Sequence, residues 1–219
     1  MTHRIALINP LQPAMQAAQA AFREGWPEAQ CINLLDDSLP DDLLKEGAES
    51  PGIRRRITML LRYAVDLRVS GILFTGSGFG PLLDELAPTL GVPLLKPNQA
   101  MYEDALKVGG RLGMLVTFPA AADAMRHDFE AAKSPGSVHS TLEIACVPEA
   151  LVQLRAGDAT EHNRLLAESA GQLKHCNAIL MAQFSSAQAA NAVSAATGRP
   201  VLTSPGSAVR KLRALIAGL

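Results

Sequence analysis

Ile72-Leu-Phe-Thr-Gly-Ser77 and, further on, Gly91-Val-Pro93 return as Ile179-Leu-Met-Ala-Gln-Phe184 and Gly198-Arg-Pro200, 107 positions later and without a gap. At the same distance Arg4-Ile-Ala-Leu-Ile8 returns as Arg111-Leu-Gly-Met-Leu115, while Leu39-Pro-Asp41 returns one residue out of register as Val147-Pro-Glu149. One such match could arise by chance, but several at one spacing mark a duplication. A repeat decides the architecture before any single motif is read. The 219-residue chain is therefore read as two copies of a unit of 107 residues.

Within each copy, short apolar runs bounded by turn residues alternate with longer stretches of helical periodicity. In the first copy the pattern predicts strands near 4–9, 30–35, 71–75 and 93–95, with helices near 13–24, 53–69 and 81–90. Ile53, Ile57, Leu60, Leu61, Ala64 and Val65 form the apolar face of the second helix, and Arg54, Arg55, Arg62 and Arg68 lie off it. The second copy predicts strands near 111–117, 138–146, 178–182 and 200–203 and helices near 119–132, 159–175 and 186–197, and a last helix at 205–217 closes the chain. Strand and helix in alternation require parallel pairing, because each helix returns the chain to the same sheet edge. The expectation is an α/β protein of two pseudo-symmetric, doubly wound lobes, residues 1–97 plus 205–219 and residues 98–204. Lys96-Pro-Asn-Gln-Ala-Met-Tyr102 is the expected crossing, and Ser204-Pro205 the return. Ligands of open parallel sheets bind beyond the carboxyl ends of the strands, so two facing lobes are expected to share one cleft.

Composition narrows the partner. Twenty basic against 21 acidic residues, a net charge of −1, provide no field to gather nucleic acid or anionic lipid. Aromatics at 4% leave little for base stacking. Cys31, Cys146 and Cys176 are widely spaced, with no CxxC. They fit neither a disulfide framework nor a zinc motif and are read as buried structural thiols. No two of the five histidines stand at the i,i+4 spacing of metal ligands. The expectation is no cofactor, no metal and no nucleic acid. The apolar run before Pro10 is too short for a signal peptide, and no stretch reaches the ~18 apolar residues of a membrane span. A cytoplasmic protein with a small-molecule partner follows, with a homodimer as the default assembly.

Two loops at equivalent positions are the candidates for chemistry: Thr75-Gly-Ser-Gly-Phe79 and Ala182-Gln-Phe-Ser-Ser186. Each follows a strand with small polar residues and then a helix, which leaves backbone N–H groups free for an anion. The plainer reading is two well-capped helix starts, with Pro81 in a first turn and Ser185 paired with Gln188 as a capping box. Gly76-Ser-Gly78-Phe-Gly80 fails as a dinucleotide fingerprint, because Pro81 stands where the third glycine belongs. Asp36-Asp37 and Asp41-Asp42 read as a solvated turn and helix start, and Arg54-Arg55-Arg56 as a wet helix face.

The duplication, Ile8-Asn-Pro10 after the first strand, the two strand–loop–helix segments ending in Gly-x-Pro, and Leu115-Val-Thr117 together resemble the aspartate/glutamate/hydantoin racemase superfamily. That group includes maleate isomerase and arylmalonate decarboxylase. The resemblance implies a cysteine in each loop, one removing a proton and the other returning it from the opposite face. The matching positions here are Gly76 and Gln183. Both thiols are missing, and neither replacement titrates. What the resemblance leaves is the apparatus for holding a carboxylate: Asn9, Thr75, Ser77, Thr117, Phe184 and Ser185, with Gln183 donating a hydrogen bond and Lys96 at the rim. Two functions follow: a thiol-independent isomerase or lyase acting on a small carboxylate, with Gly76, Ser77 and Gln183 at its centre, or a catalytically silent sensor of the same fold. Cysteine at both positions 76 and 183 is expected to create proton exchange on an amino acid or hydantoin.

Overall fold

The computed structural model describes residues 3–47 and 50–218; Met1, Thr2, Ala48, Glu49 and Leu219, all in the first expected lobe, lie outside them. The chain divides into two units, Met1–Pro97 with Ala208–Leu219, and Asn98–Ser207. The first contains β1 (Arg4–Asn9), α1 (Gln12–Gly25), β2 (Gln30–Leu35), α2 (Leu39–Glu46), α3 (Pro51–Asp66), β3 (Gly71–Phe74), α4 (Gly80–Leu86) and β4 (Leu94–Leu95). The second contains α5 (Gln99–Val108), β5 (Arg111–Val116), α6 (Ala122–Ala131), β6 (Thr141–Cys146), α7 (Pro148–Arg155), α8 (Ala159–Ala170), β7 (Ala178–Met181), α9 (Ala190–Thr197) and β8 (Val201–Thr203). The last helix, α10 (Ser204–Ala217), begins in the second unit and continues into the first.

Each unit has one four-stranded, fully parallel sheet, with orders β2-β1-β3-β4 and β6-β5-β7-β8. Parallel sheets are covered by helices on both faces, so their inner strands read as unbroken apolar runs. Ile5-Ala-Leu-Ile8 in β1, Gly71-Ile-Leu-Phe74 in β3 and Ala178-Ile-Leu-Met181 in β7 are buried throughout. The edge strand β2 has no fully buried residue. Two α/β sheets of identical order are what the 107-residue repeat demands.

Helix α3 shows how locally the sequence specifies its elements. The Ser50 hydroxyl caps it by accepting from the N–H groups of Gly52 (3.2 Å) and Ile53 (3.5 Å), and Pro51 occupies the first turn, where its missing N–H is harmless. Ile53, Ile57, Leu61 and Ala64 then form a buried stripe against Ile8, Ile72 and Phe74 of the sheet. The predicted helix ran to residue 69; the structure ends it at Asp66, and Arg68 adopts a left-handed conformation (φ 54°) that turns the chain toward β3.

The helical periodicity does not predict α2, α5 and α7 as whole helices, although Asp41-Asp42 is read as a helix start inside α2. Two have only eight residues, and each opens near a proline that reads as a turn. Helix α5 follows Lys96-Pro97-Asn98, and the expected crossing, which ends at Tyr102, takes in its buried Met101 and Tyr102 but stops short of Ala105. Helices α5 and α10 follow β4 and β8 and are equivalent under the repeat. Yet α5 belongs to the second unit and α10, from Ala208 onward, to the first. In the first unit, a Cβ on Gly71 would lie 3.0 Å from Leu212 and Ile216, so only glycine at the start of β3 lets α10 pack this closely.

The Arg54-Arg55-Arg56 cluster is not uniformly a wet face. The Arg56 guanidinium lies 2.5 Å from Asp36 and 2.5 Å from Asp42 and fastens the β2–α2 connection to α3. Burial pushes the Asp36 carboxyl up, but hydrogen bonds from Arg56 and Ser38 and the charge of Arg56 outweigh this and hold it below the usual carboxylate range. A depressed folded-state value means the stabilisation is full above the unfolded carboxylate range and is lost as pH falls through the folded one. Arg56→Ala should cost about 1–3 kcal/mol at neutral pH. Denaturant midpoints measured between about pH 7 and pH 3 should converge for parent and variant at the acid end; a constant gap would refute this role.

Candidate functional site

In the first unit, the carboxyl ends of β1 and β3 are joined through Asn9 and Thr75. Asn9 is fully buried. Its Oδ1 accepts from the Thr75 hydroxyl at 3.0 Å, and its Nδ2 donates to the carbonyls of Leu7 (2.8 Å) and Leu34 (3.4 Å). The Asn9 carbonyl takes the Asp36 N–H at 3.0 Å. Both side-chain polar atoms of Asn9 and its carbonyl are therefore engaged within the protein. The structure brings Asn9 and Thr75 together, as a brace under the loop. Gly76 is buried beyond them, and Ser77 is exposed. Helix α4 has no side-chain cap, and at seven residues it is too short to offer an anion site by itself. The Lys96 ammonium follows β4 and lies 2.7 Å from the Asp84 carboxylate, which neutralises it.

Gly76 is tightly constrained. An ideal Cβ there would lie 2.3 Å from Cγ of Pro10 and 3.1 Å from its Cδ. The proline ring fills the space a side chain at position 76 would need.

The second unit presents the same pair of positions with the opposite filling, because residues 10 and 76 correspond to 117 and 183 at the 107-residue spacing. Thr117, buried at 1% exposure, has the backbone N–H that Pro10 lacks. It donates to Oε1 of Gln183 at 2.9 Å. This fixes the amide and leaves Gln183 Nε2 buried with no hydrogen-bond partner among the described residues. Buried amides are rarely left in this state, since each unmade bond costs about 1–3 kcal/mol. Phe184 is buried beside it.

The expected capping box at Ser185 does not form. The chain instead makes a 3-10 turn over Phe184–Ala189, in which the Gln188 amide donates to the Ser185 carbonyl at 3.0 Å. The regular helix starts only at Ala190. The tighter turn buries Ser186, whose hydroxyl also lacks a partner among the described residues. Ser186 and the 42%-exposed Phe118 next to Thr117 were missed in the sequence. An aromatic directly after the Leu115-Val-Thr117 motif was the available signal for Phe118; nothing in the sequence distinguished Ser186 from Ser185.

The thiols separate more than expected. Cys31 on β2 is half-buried, and burial pushes it up to about 11. Cys176 is buried, and burial followed by the charge of Glu143 raises it. Cys146 is exposed at the carboxyl end of β6, which corrects its reading as a buried structural thiol; it ends an edge strand whose outer residues reach solvent. Among the described residues no helix is long and apolar enough to cross a membrane.

Solved structures share this architecture at low sequence identity. Allantoin racemase from Klebsiella pneumoniae superposes with a TM-score of 0.76 and 18% identity over 99% of this chain and 89% of that one. The aspartate racemase of Picrophilus torridus gives 0.75 and 10% over 98% and 94%. A glycine-to-cysteine mutant of arylmalonate decarboxylase, in a sulfate-associated form, gives 0.64 and 14% over 98% and 94%. No protein-family model and no curated protein matches the sequence. The two duplicated sheets, their common strand order and these superpositions establish that the chain has the fold of the aspartate/glutamate/hydantoin racemase superfamily.

Proposed function

We propose that the protein binds a small carboxylate at the loop following β7 and acts on it as an isomerase or lyase without a thiol pair. The observation that carries this reading is the Gln183 amide, held by Thr117 with its Nε2 donor buried and unpartnered. It stands where the resembled enzymes place a catalytic thiol, and a carboxylate oxygen is the acceptor it lacks. A charge-assisted bond of this kind contributes about 1.5–3 kcal/mol.

Of the two reaction types, the lyase suits these residues better. Racemisation needs a base on one face of the α-carbon and an acid on the other. Asn9, Thr75, Gly76, Ser77, Thr117, Phe184 and Ser185 supply neither, and Lys96 is tied to Asp84. Decarboxylation needs no base. In a malonate-type diacid the bond from the α-carbon to one carboxylate breaks, its electron pair passes into the enediolate of the remaining carboxylate, carbon dioxide leaves, and water gives one proton to the α-carbon while its hydroxide joins the carbon dioxide as bicarbonate. Gln183 and the loop N–H groups would stabilise the enediolate oxygen, a donor role worth about 10²–10³ in rate.

The same shortage of titratable groups favours a second reading, a sensor that binds a carboxylate and leaves it unchanged. A thermal-shift screen of dicarboxylates and amino acids should find a ligand that adds about 2.7 kcal/mol of stability at 100 times its dissociation constant. Incubation of that ligand in D2O then separates the readings. Carbon dioxide release or deuterium at the α-carbon supports the enzyme, and binding without either supports the sensor. Loss of turnover in Cys146→Ser would overturn the thiol-independent reading.

A further inference from the structure

At the amino end of β7, away from these loops, three side chains of different metal-ligating types converge. Gly113 of β5 is paired with Glu143 of β6 and Ile179 of β7, so the three positions share one face of the sheet. A Cβ on Gly113 would lie 3.0 Å from Leu173. The missing side chain lets the 3-10 turn Gly171–Leu173 press onto the sheet. The end of that turn is fixed from both sides. Cys176 donates its N–H to the Leu173 carbonyl at 2.9 Å, and Asn177 donates its N–H to the Arg111 carbonyl while its Oδ1 accepts from the Arg111 N–H at 2.9 Å. His175 and Cys176 are thereby set down beside Glu143. His175 Nε2 lies 2.8 Å from Glu143 Oε2, and one ligand atom from each of Glu143, His175 and Cys176 lies within 4.8 Å of the others.

We propose that Glu143, His175 and Cys176 form a binding site for a borderline-soft divalent transition metal, of which zinc is the representative, with water as the fourth ligand. The donor set selects the class: a thiolate and an imidazole suit zinc and its neighbours, whereas magnesium and calcium take oxygen ligands. The spacing fits as well. Zinc bonds of roughly 2.0–2.3 Å in a tetrahedron put ligand atoms about 3.3–3.8 Å apart. The cluster reaches this if the His175–Glu143 hydrogen bond opens by about half an ångström and the Cys176 sulfur closes on the pair by up to about 1 Å around the ion. A carboxylate and a thiolate together balance the charge of the ion. Arg199 is held on this turn by its Nε bond to the Lys174 carbonyl at 2.8 Å. An ion here would tie β6 to the turn that leads into β7.

The site is tested with tag-free protein carrying Cys31→Ser and Cys146→Ser, so that Cys176 is the remaining thiol. Titration with cobalt(II) should give one equivalent of binding, with the near-ultraviolet thiolate-to-cobalt absorption that zinc abolishes by displacement. Cys176→Ser should remove that absorption. Glu143→Ala and His175→Ala alter exposed side chains and should each weaken zinc, measured by competition with a chromophoric chelator, by about tenfold or more. Zinc should raise the thermal midpoint of the parent and not that of Glu143→Ala/His175→Ala. Absence of the thiolate absorption, or zinc affinity unchanged in both exposed variants, would overturn the proposal whether or not Cys176→Ser folds.

Discussion

Gly76→Cys will lower the stability of this protein by about 1–3 kcal/mol, the usual cost of forcing extra atoms into a packed site. For a chain of this length that is a fall of roughly 2–12 °C in thermal midpoint. The cause is specific: the new Cβ would meet the Pro10 ring, with Cγ at 2.3 Å. Pro10→Ala removes both ring atoms that crowd the position, so the double variant should lose less than the sum of the single ones. A coupling of about 1 kcal/mol or more in the double-mutant cycle is the expected result, and additive losses would mean that the ring is not what excludes the side chain. The same contact revises the sequence-based expectation that cysteines at 76 and 183 suffice to create proton exchange. Any exchange should require Pro10→Ala as a third change, because a thiol cannot be seated beside the proline.

Gln183 will divide stability from ligand binding in a way a merely structural residue would not. Gln183→Leu removes the acceptor of the buried Thr117 N–H and should cost about 1–3 kcal/mol of stability. Gln183→Glu keeps an acceptor for that N–H and should fold with nearly parental stability. It replaces the free Nε2 donor with a negative charge facing a negatively charged ligand, however. Binding of the carboxylate found by thermal shift should weaken about tenfold or more, the loss of one charge-assisted bond with repulsion added. Calorimetric titration of parent and Gln183→Glu measures this directly. Equal affinities would show that the amide does not touch the ligand and would remove the observation on which the proposed function rests.

These two predictions arise from one pair of equivalent positions. Position 10 meets position 76 in the first unit, and position 117 meets position 183 in the second. Proline with glycine leaves a closed, apolar contact; threonine with glutamine leaves an amide with a spare donor. Duplication preserved the backbone while the side chains at equivalent places diverged. Asymmetry between the halves is therefore found in these pairs and not in the sheets.

The strands were legible because their signal is local. Unbroken apolar runs such as Ile5–Ile8 and Ile179–Met181 are dictated by burial on both faces of a sheet, and the predicted bounds fall within one or two residues of β1, β2, β3 and β7. Short helices starting near proline were not: α5 and α7 were hidden and α2 showed only its start at Asp41-Asp42, since the turn signal outweighs two turns of periodicity. Among the site residues, the sequence could place Gly76 and Gln183 at equivalent loops, but it could not show that Asn9 and Thr75 spend their polar atoms on each other. The cluster at Glu143, His175 and Cys176 has no sequence spacing to find, because two of its ligands are neighbours and the third comes from another strand.

By itself the sequence determined the duplication, the parallel α/β architecture and the absence of cysteine at positions 76 and 183, because repeat spacing, apolar periodicity and residue identity are carried along the chain. Only the tertiary structure decided which side chains retain an unsatisfied donor, which cavity a proline ring closes, and where three metal-ligating atoms meet. Those outcomes depend on distances of a few tenths of an ångström between residues far apart in the chain, and packing forces set them after the backbone has folded.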